Sequence, residues 1–194
     1  MKKKWLIVLD TSIFVNPDSR FLFGQTPREA FGNFLQRLEN KRDVSCYIPP
    51  SVYNELIKFI EKAPAAEKMV LIELKPPSIY ESPLPAILIY EFIEEMRARI
   101  NKGLRVAEKY TRKGLDNNGH SEKEEDIVKN LRQEYRIALR EDIIDSKEDF
   151  DLILLAKELK ACLATSDKGL IKWAQKLGIT CIDAIALQEL INSL

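Results

Sequence analysis

Short apolar runs alternate with helix-like segments at both ends of this 194-residue chain, and this alternation restricts its fold more than any other feature. Near the N-terminus, Trp5 to Leu9 is typical of a central buried strand. Residues 26–29 combine an N-cap, a first-turn proline and a capping glutamate, so a helix is predicted to about Asn40. Val44 to Ile48 predicts a second strand, and Pro49-Pro50-Ser51 opens another helix.

The C-terminal end shows the same alternation. Asp149 to Leu159 predicts a helix, Ala161 to Thr165 a strand, Lys168 to Leu177 a helix ended by Gly178, and Ile179 to Ile182 a strand. Strands that alternate with helices indicate an α/β fold, with a mainly parallel sheet flanked by helices. Functional sites of such sheets lie beyond the carboxyl ends of the strands.

The middle of the chain has a different pattern. After a proline-rich crossing, Ile87 to Arg112 carries apolar residues at nearly heptad spacing. A polar loop from Gly114 to His120 follows, and a capping signal at residues 121–124 opens a second amphipathic run through Leu139. We therefore predict a sheet domain over residues 1–75 and 141–194, with a long antiparallel two-helix hairpin inserted over residues 76–140.

The balance of residue types excludes several kinds of chemistry. The one histidine, His120, lies in the polar loop, so a histidine-based nuclease, a Ser-His-Asp hydrolase and a histidine-rich zinc site are all disfavoured. The glycine-rich phosphate loops of nucleotide and dinucleotide enzymes are absent, so no organic cofactor is expected. Because 30 basic residues balance 30 acidic ones, any site for a polyanion must come from local segregation of charge.

The cysteines and the apolar runs bear on where the protein works. The three cysteines, Cys46, Cys162 and Cys181, lack metal-ligand spacing and lie among apolar neighbours, as in a reducing compartment. The first apolar run is too short for a signal peptide, and no run approaches membrane-spanning length. The expected protein is soluble and cytoplasmic and has no membrane partner.

Carboxylates are the remaining candidates for chemistry. Asp10 follows the first predicted strand and Asp167 follows the strand at 161–165, so both can project into one crevice. Asp145 and Asp149 bracket the first turn of the helix before that second strand, whereas Asp151 is expected to point away from Asp149. Four aspartates on one patch would suit Mg²⁺ or Mn²⁺, which prefer oxygen ligands.

Each carboxylate also has a purely structural interpretation. Asp149 fits the third helical position after Ser146, and Asp167 fits the N-cap of the next helix. Asp10 is harder to explain in this way, because an acid at the end of an apolar strand is costly unless it is paired or ligating. Glu55 is a weaker candidate, since a glutamate on an amphipathic helix is usually just solvated.

Four segments in order resemble a PIN domain, a metal-dependent nuclease fold. They are Leu-Asp-Thr-Ser-Ile-Phe at 9–14, Pro-Ser-Val-Tyr-Asn-Glu-Leu at 50–56, Asp149 before an apolar helix, and Ala-Thr-Ser-Asp at 164–167. The resemblance implies a PIN-like sheet flanked by helices, with Thr11 and Ser12 as polar companions of the metal. It places the acidic residues of the family at Asp10, Glu55, Asp149 and Asp167.

The extra Asp145 and the long hairpin are similar to those of the small RNA-free, or protein-only, ribonuclease P family of bacteria and archaea, whose members are also labelled RNA ligase partner proteins. That resemblance implies removal of the 5′ leader from precursor tRNA without a catalytic RNA, dependence on Mg²⁺ or Mn²⁺, and homo-oligomers built through the hairpin. It assigns catalysis and metal binding to Asp10, Asp145, Asp149 and Asp167, and leaves Glu55 as a further metal ligand to be tested.

The basic residues of the hairpin are segregated along its two helices and offer a site for RNA, since basic side chains can bind phosphates without reading sequence. The alternative is that these charges, which alternate with glutamates such as Glu94 and Glu125, merely keep the hairpin in solution. The predicted RNA-binding residues are Arg97, Arg99, Lys102, Arg105, Lys109, Arg112, Lys113, Lys129, Arg132 and Arg136.

Three rival functions remain at this stage. A toxin-type PIN endoribonuclease would share the acidic residues, but the long basic hairpin argues against it. A phosphatase with Asp10 as nucleophile would typically need a second acid two positions on, where this chain has Ser12. A non-catalytic RNA-binding partner of an RNA-processing enzyme would have no need of the acidic set.

Overall fold

The computed structural model describes residues 4–60, 70–81, 85–116, 123–140 and 146–194. The chain separates into two compact units, one formed by Met1–Ser82 with Ile144–Leu194 and the other by Pro83–Ile143. The boundaries expected from the sequence, after residues 75 and 140, differ from these by seven and three residues. We call the first the sheet unit and the second the helical unit.

The sheet unit contains one five-stranded parallel sheet in the order β3-β2-β1-β4-β5, with helices around it. This confirms the α/β fold predicted from the sequence. Only β3 lacks a predicted counterpart, because three residues are too few to show a period. The strands are β1 (Trp5–Leu9), β2 (Val44–Ile48), β3 (Ile72–Leu74), β4 (Cys162–Ala164) and β5 (Cys181–Ile182).

The pairing of the central strand β1 determines which polar groups lie close together at the edge of the sheet. Its last three residues, Ile7 to Leu9, are completely buried, as expected for a strand covered on both faces. It pairs in parallel with β2 on one side and with β4 on the other. Leu9 is in register with Ala164, and the Asp10 N–H donates to the Ala164 carbonyl at 3.0 Å. The chain segments that follow β1 and β4 therefore begin side by side.

Nine helices are described along the chain. The capping signal at residues 26–29 is confirmed, since the Thr26 hydroxyl accepts from the Glu29 N–H at 3.2 Å and the helix begins at Pro27. The signal predicted at residues 121–124 begins outside the described residues. The helices are α1 (Ser12–Val15), α2 (Pro17–Arg20), α3 (Pro27–Leu38), α4 (Pro50–Ile60), α5 (Ala86–Asp116), α6 (Glu124–Arg140), α7 (Lys147–Leu159), α8 (Lys168–Lys176) and α9 (Ala184–Ser193).

An aromatic cluster fixes the direction of the chain just after β1. Phe14 of α1 is completely buried and meets the rings of Phe31 and Phe34 of α3 edge-on, with ring centroids 5.1 Å apart in both pairs. Such pairs contribute about 0.5–1.5 kcal/mol beyond the burial of their area. Because Phe14 lies only four residues after Asp10, this cluster holds the turn that carries Asp10, Thr11 and Ser12.

The helical unit is a hairpin of α5, with 31 residues, and α6, with 17 residues. The two helices approach closely at Gly103, where an added Cβ would lie 2.7 Å from a ring carbon of Tyr135. Further along, Glu134 accepts from Lys109 Nζ and from the Tyr110 hydroxyl. A small residue and a polar cluster thus both contribute to packing inside the hairpin.

The apolar seam predicted on α5 is solvent-exposed in the single chain. Ile100 is 62% exposed and Leu104 is 57% exposed, and Ile89, Ile93 and Met96 are exposed as well. Single exposed apolar side chains are common on protein surfaces, whereas a row of them along one helix is typical of a surface that associates with another. Within the described residues, no helix has both the length and the apolar character that crossing a membrane requires.

The close approach at Gly103 gives a first prediction. Gly103→Ala should lower stability, because overpacking against Tyr135 costs about 1–3 kcal/mol and exceeds the ~0.5–1 kcal/mol gained in helix propensity. Gly114→Ala is the matched control, since it lies on the same helix and no described atom is within 4 Å of its added Cβ. Thermal unfolding followed by circular dichroism should show opposite shifts, and two equal upward shifts would contradict the close approach.

Candidate functional site

Asp10 is the best-defined polar group at the carboxyl edge of the sheet. It follows β1 directly and is 5% exposed. Its Oδ2 atom accepts from the Ser12 hydroxyl at 2.5 Å and from the Thr165 hydroxyl at 2.6 Å. Its Oδ1 atom accepts a long bond, 3.4 Å, from the Thr11 hydroxyl, and the carboxylate also accepts the backbone N–H of Ser12. Asp10 is therefore stabilised by neutral donors, three hydroxyls and one backbone N–H.

Burial decides the pKa of Asp10. Removal of the carboxylate from water raises its pKa, the hydrogen bonds from Ser12 and Thr165 lower it, and the negative charge of Asp167 raises it further, with a net upward shift. No cation among the described residues is a cause of that shift. The site thus holds a buried acid whose negative charge is not balanced by a neighbouring cation.

Asp167 has both of the roles that the sequence allowed, as a helix N-cap and as a member of the acidic group. Its Oδ1 atom accepts from the Leu170 N–H at 2.8 Å, so it is the N-cap of α8. Its charge also acts on Asp10, and its own N–H donates to the Thr165 hydroxyl at 3.0 Å. The cap and the acidic pair are therefore two uses of one side chain, since capping occupies only one carboxylate oxygen.

Glu55 comes close to the same group of charges from α4. Partial burial raises its pKa, the negative charges of Asp10 and Glu148 raise it further, and Lys58 opposes them. The sequence left Glu55 as a weak candidate, and the structure brings its charge within range of Asp10. Glu148 was not among the predicted residues, although its place directly before Asp149 in a first helical turn was the available signal.

The structure describes only one of the two aspartates that were predicted near the start of α7. Asp149 is half-buried in the first turn, and its N–H donates to the Ser146 hydroxyl at 3.0 Å, as the capping signal indicated. Asp145 lies outside the described residues. The structure therefore locates three of the four predicted aspartates, and it brings Asp167 near enough to Asp10 for its charge to raise the pKa of Asp10.

Asp151 connects two helices near the site. Its Oδ2 atom accepts from the Ser51 hydroxyl at 2.5 Å, which joins the first turn of α4 to the second turn of α7. Glu55 follows Ser51 by one turn, and Glu148 precedes Asp151 by three residues. This hydrogen bond therefore helps to fix the spacing between the two glutamates, a role that sequence alone did not suggest for Asp151.

We name Asp10, Glu55, Glu148 and Asp167 the acidic edge, and its chemistry fits a divalent cation. The donors are all carboxylate oxygens, which Mg²⁺ and Mn²⁺ prefer, and their mutual repulsion is what a bound cation relieves. Among the described residues, no three His, Cys, Asp or Glu side chains are arranged to hold one ion. The donor type therefore fits a metal, while these residues alone do not form a closed coordination shell.

The predicted RNA-binding residues of α5 have different environments. Arg99 is 8% exposed, and its guanidinium donates to the Leu139 carbonyl, so it packs the hairpin and does not fit the predicted contact with RNA. Arg97 pairs with Glu94 at 3.4 Å, and Lys109 pairs with Glu134 at 2.8 Å. The remaining predicted residues of this helix, all exposed, are Lys102, Arg105, Arg112 and Lys113.

The second helix of the hairpin presents a row of cations. Lys129, Arg132 and Arg136 are all exposed, and their spacing of three and four residues places them on one side of α6. They line one open depression together with the acidic residues Glu124 and Glu125 and with Val128, Gln133 and Ile137. We call these three cations the basic face.

Comparison with known proteins places the whole chain in one group. Residues 6–194 match the PINc domain ribonuclease family. A protein from Thermodesulfovibrio yellowstonii named RNA-free ribonuclease P is 50% identical over 93% of this chain and 90% of its own length. Proteins of the same name from Pyrococcus horikoshii and Halorhodospira halophila are 47% and 37% identical, each over 96% of this chain and over 91% and 89% of their own lengths.

Proposed function

Since the chain belongs to the RNA-free ribonuclease P family of PIN-domain ribonucleases, we propose that it removes the 5′ leader of precursor tRNA by metal-dependent cleavage at the acidic edge. The chain is an endoribonuclease that works without a catalytic RNA. The observation that carries the proposed mechanism is the buried Asp10 carboxylate, held by hydroxyls beside Asp167 and balanced by no described cation. Such an arrangement is costly in a protein unless a ligand supplies the positive charge.

The metal is Mg²⁺ or Mn²⁺ in this proposal, and its ligands come from Asp10, Asp145, Asp149 and Asp167, with Glu55 as a further ligand to be tested. A cation held by these carboxylates would supply a polarised water for in-line attack on the phosphodiester and positive charge for the departing 3′ oxygen. The products are a tRNA with a 5′ phosphate and a leader that ends in a 3′ hydroxyl. No histidine is needed as a base, in agreement with the single histidine of the chain.

The residues of this chain have three separate tasks in the proposed reaction. Ser12 and Thr165 hold the carboxylate of Asp10 in one orientation through short hydrogen bonds to Oδ2. The pair of Ser51 and Asp151 keeps α4 and α7 in place, so that Glu55 stays near the first turn of α7. The carboxylates repel one another, which raises their pKa in the metal-free site, and a bound cation would relieve that repulsion and keep them ionised.

The helical unit supplies the proposed contact with RNA. The basic face of α6 offers three exposed cations on one side of a helix, and cations in such a row bind the regularly spaced phosphates of structured RNA. The exposed apolar seam of α5 supports the further proposal that copies of the chain associate through the hairpin. Precursor tRNA and a second copy of the chain are thus the proposed partners.

The first experiment maps the cut. Purified protein without any RNA is incubated with a precursor tRNA whose 5′ leader is labelled, with Mg²⁺ or with EDTA, and the products are sized to single-nucleotide resolution. We expect one cut at the mature 5′ end that EDTA prevents. Cuts at other positions would instead indicate a toxin-type nuclease. RNA binding without hydrolysis would indicate a non-catalytic partner of a processing enzyme.

A further inference from the structure

We propose that Thr165 is a positioning residue, whose one hydroxyl sets the orientation of Asp10 and anchors the chain at Asp167, so that both carboxylates face the same bound cation. The proposal rests on the metal-dependent function proposed above. Thr165 is completely buried, follows β4 directly, and is joined to Asp10 across 155 residues of sequence. Its neighbour Ser166 and the acid Asp167 complete the segment that faces the end of β1.

The hydrogen-bond directions follow from counting protons. Ser12 and Thr165 each have one hydroxyl proton, and each lies within 2.6 Å of Asp10 Oδ2, which can only accept when it is ionised. Both protons are therefore committed to Asp10. The lone pairs of Thr165 Oγ1 then accept the Asp167 N–H at 3.0 Å, and those of Ser12 Oγ accept the Ser166 N–H at 2.9 Å.

This network treats the two oxygens of Asp10 differently. Oδ2 takes two short hydrogen bonds from side chains, whereas the side-chain bond to Oδ1, from Thr11, is long, and the carboxylate also accepts the backbone N–H of Ser12. Oδ1 is thus the oxygen that side chains engage less strongly, and we expect it to face the cation. Partners that orient a ligating carboxylate in this manner typically affect metal affinity or activity about 10–100-fold when they are removed.

Ser12 and Thr165 both join the segments that follow β1 and β4, but Ser12 accepts the N–H of Ser166 and Thr165 accepts that of Asp167. Ser12 belongs to the same turn as Asp10, whereas Thr165 comes from the neighbouring strand, where Ala164 is in register with Leu9. The Thr165 hydroxyl also receives the N–H of Asp167, the residue that begins α8. One oxygen atom therefore links the orientation of Asp10 to the position of Asp167, which no other described hydroxyl does.

The test compares Thr165→Val, which keeps the shape and removes the hydroxyl, with Thr165→Ser, which keeps the hydroxyl. Mn²⁺ binding is measured by isothermal titration calorimetry without RNA, and kcat and KM are measured on precursor tRNA. We expect Thr165→Val to weaken Mn²⁺ binding and to lower kcat, each about 10–100-fold, with KM little changed. Thr165→Ser should keep most of the Mn²⁺ affinity and most of the kcat of the wild type. Thr165→Ala replaces the valine variant if circular dichroism shows that the latter is unfolded.

Ser19→Ala is the matched control. Ser19 is also buried, and its hydroxyl contacts the Ser166 hydroxyl at 2.6 Å, so this change removes a buried hydroxyl that does not touch Asp10. It should lower thermal stability while leaving Mn²⁺ affinity within about twofold of the wild-type value. If Thr165→Val and Ser19→Ala lower stability alike and both keep wild-type Mn²⁺ affinity, Thr165 has only a structural role and the proposal is wrong.

Asp10→Asn in the same titration separates this proposal from the proposed function. Loss of Mn²⁺ binding in Asp10→Asn together with full binding in Thr165→Val would overturn the positioning role alone. Wild-type Mn²⁺ binding in Asp10→Asn would overturn the metal site at Asp10, and the role of Thr165 with it.

Discussion

Asp10→Asn should abolish cleavage of precursor tRNA and, at the same time, raise the melting temperature of the metal-free protein. Cleavage should fall at least about 10³-fold, since a catalytic cation contributes several kcal/mol to stabilisation of the transition state. Stability should rise because burial and the charge of Asp167 disfavour the ionised form of Asp10, which raises its pKa in the folded state. Asparagine removes that charge and still accepts from Ser12 and Thr165.

The pH dependence of this gain has a definite sign. An acid whose pKa is raised by folding costs stability in full above its folded pKa, and the cost shrinks as the pH falls below that value and is gone below the unfolded pKa. The difference in melting temperature between Asp10→Asn and the wild type should therefore be largest near neutral pH and should shrink on acidification. Differential scanning calorimetry at several pH values, in the presence of EDTA, measures it.

A bound divalent cation should reverse the order of stability of the wild type and Asp10→Asn. Added Mn²⁺ should raise the melting temperature of the wild type by binding only its folded state, and should raise that of Asp10→Asn much less. Asp18→Asn is the control, because Asp18 is an exposed aspartate of α2. That control should keep full activity and the full response to Mn²⁺. An active Asp10→Asn variant would contradict the proposed site.

The sequence predicted those parts of the fold that depend on local signals. The apolar run at Trp5 to Leu9 and the capping residues Thr26 and Ser146 each act within a few residues, and the structure has a strand or a helix start at each place. Asp10 could be identified because its cost depends mainly on the strand before it. Local patterns of this kind need no knowledge of the tertiary structure.

Other parts depend on tertiary contacts and could not be predicted. The hydrogen bond from Ser51 to Asp151 joins residues 100 positions apart, and the bond from Thr165 to Asp10 spans 155. Arg99 was grouped with the RNA-binding cations because its charge is visible in sequence, whereas its burial against the Leu139 carbonyl is not. Charge alone does not distinguish a cation that packs a hairpin from one that meets solvent.

Replacement of the three cations of the basic face by alanine should weaken binding of precursor tRNA about 10²-fold near physiological salt, without affecting the chemical step. Each phosphate contact contributes about 0.7–0.9 to the slope of log affinity against log salt, so loss of three contacts should reduce that slope by about 2–3. Lys129, Arg132 and Arg136 are exposed on α6, so their removal should leave the fold intact. Filter binding at several salt concentrations measures both quantities.

A triple alanine variant at Arg28, Lys41 and Arg42 is the matched control, because it removes the same charge from the sheet unit. If the basic face binds phosphates directly, the slope of log affinity against log salt should decrease by about 2–3 in the α6 variant only. The cleavage rate of that variant at saturating RNA should approach that of the wild type. Equal losses of RNA affinity in both variants would instead mean that RNA binding depends on the net charge of the protein. In that case the alternation of cations with glutamates along the hairpin would only keep the protein in solution, as the sequence also allowed.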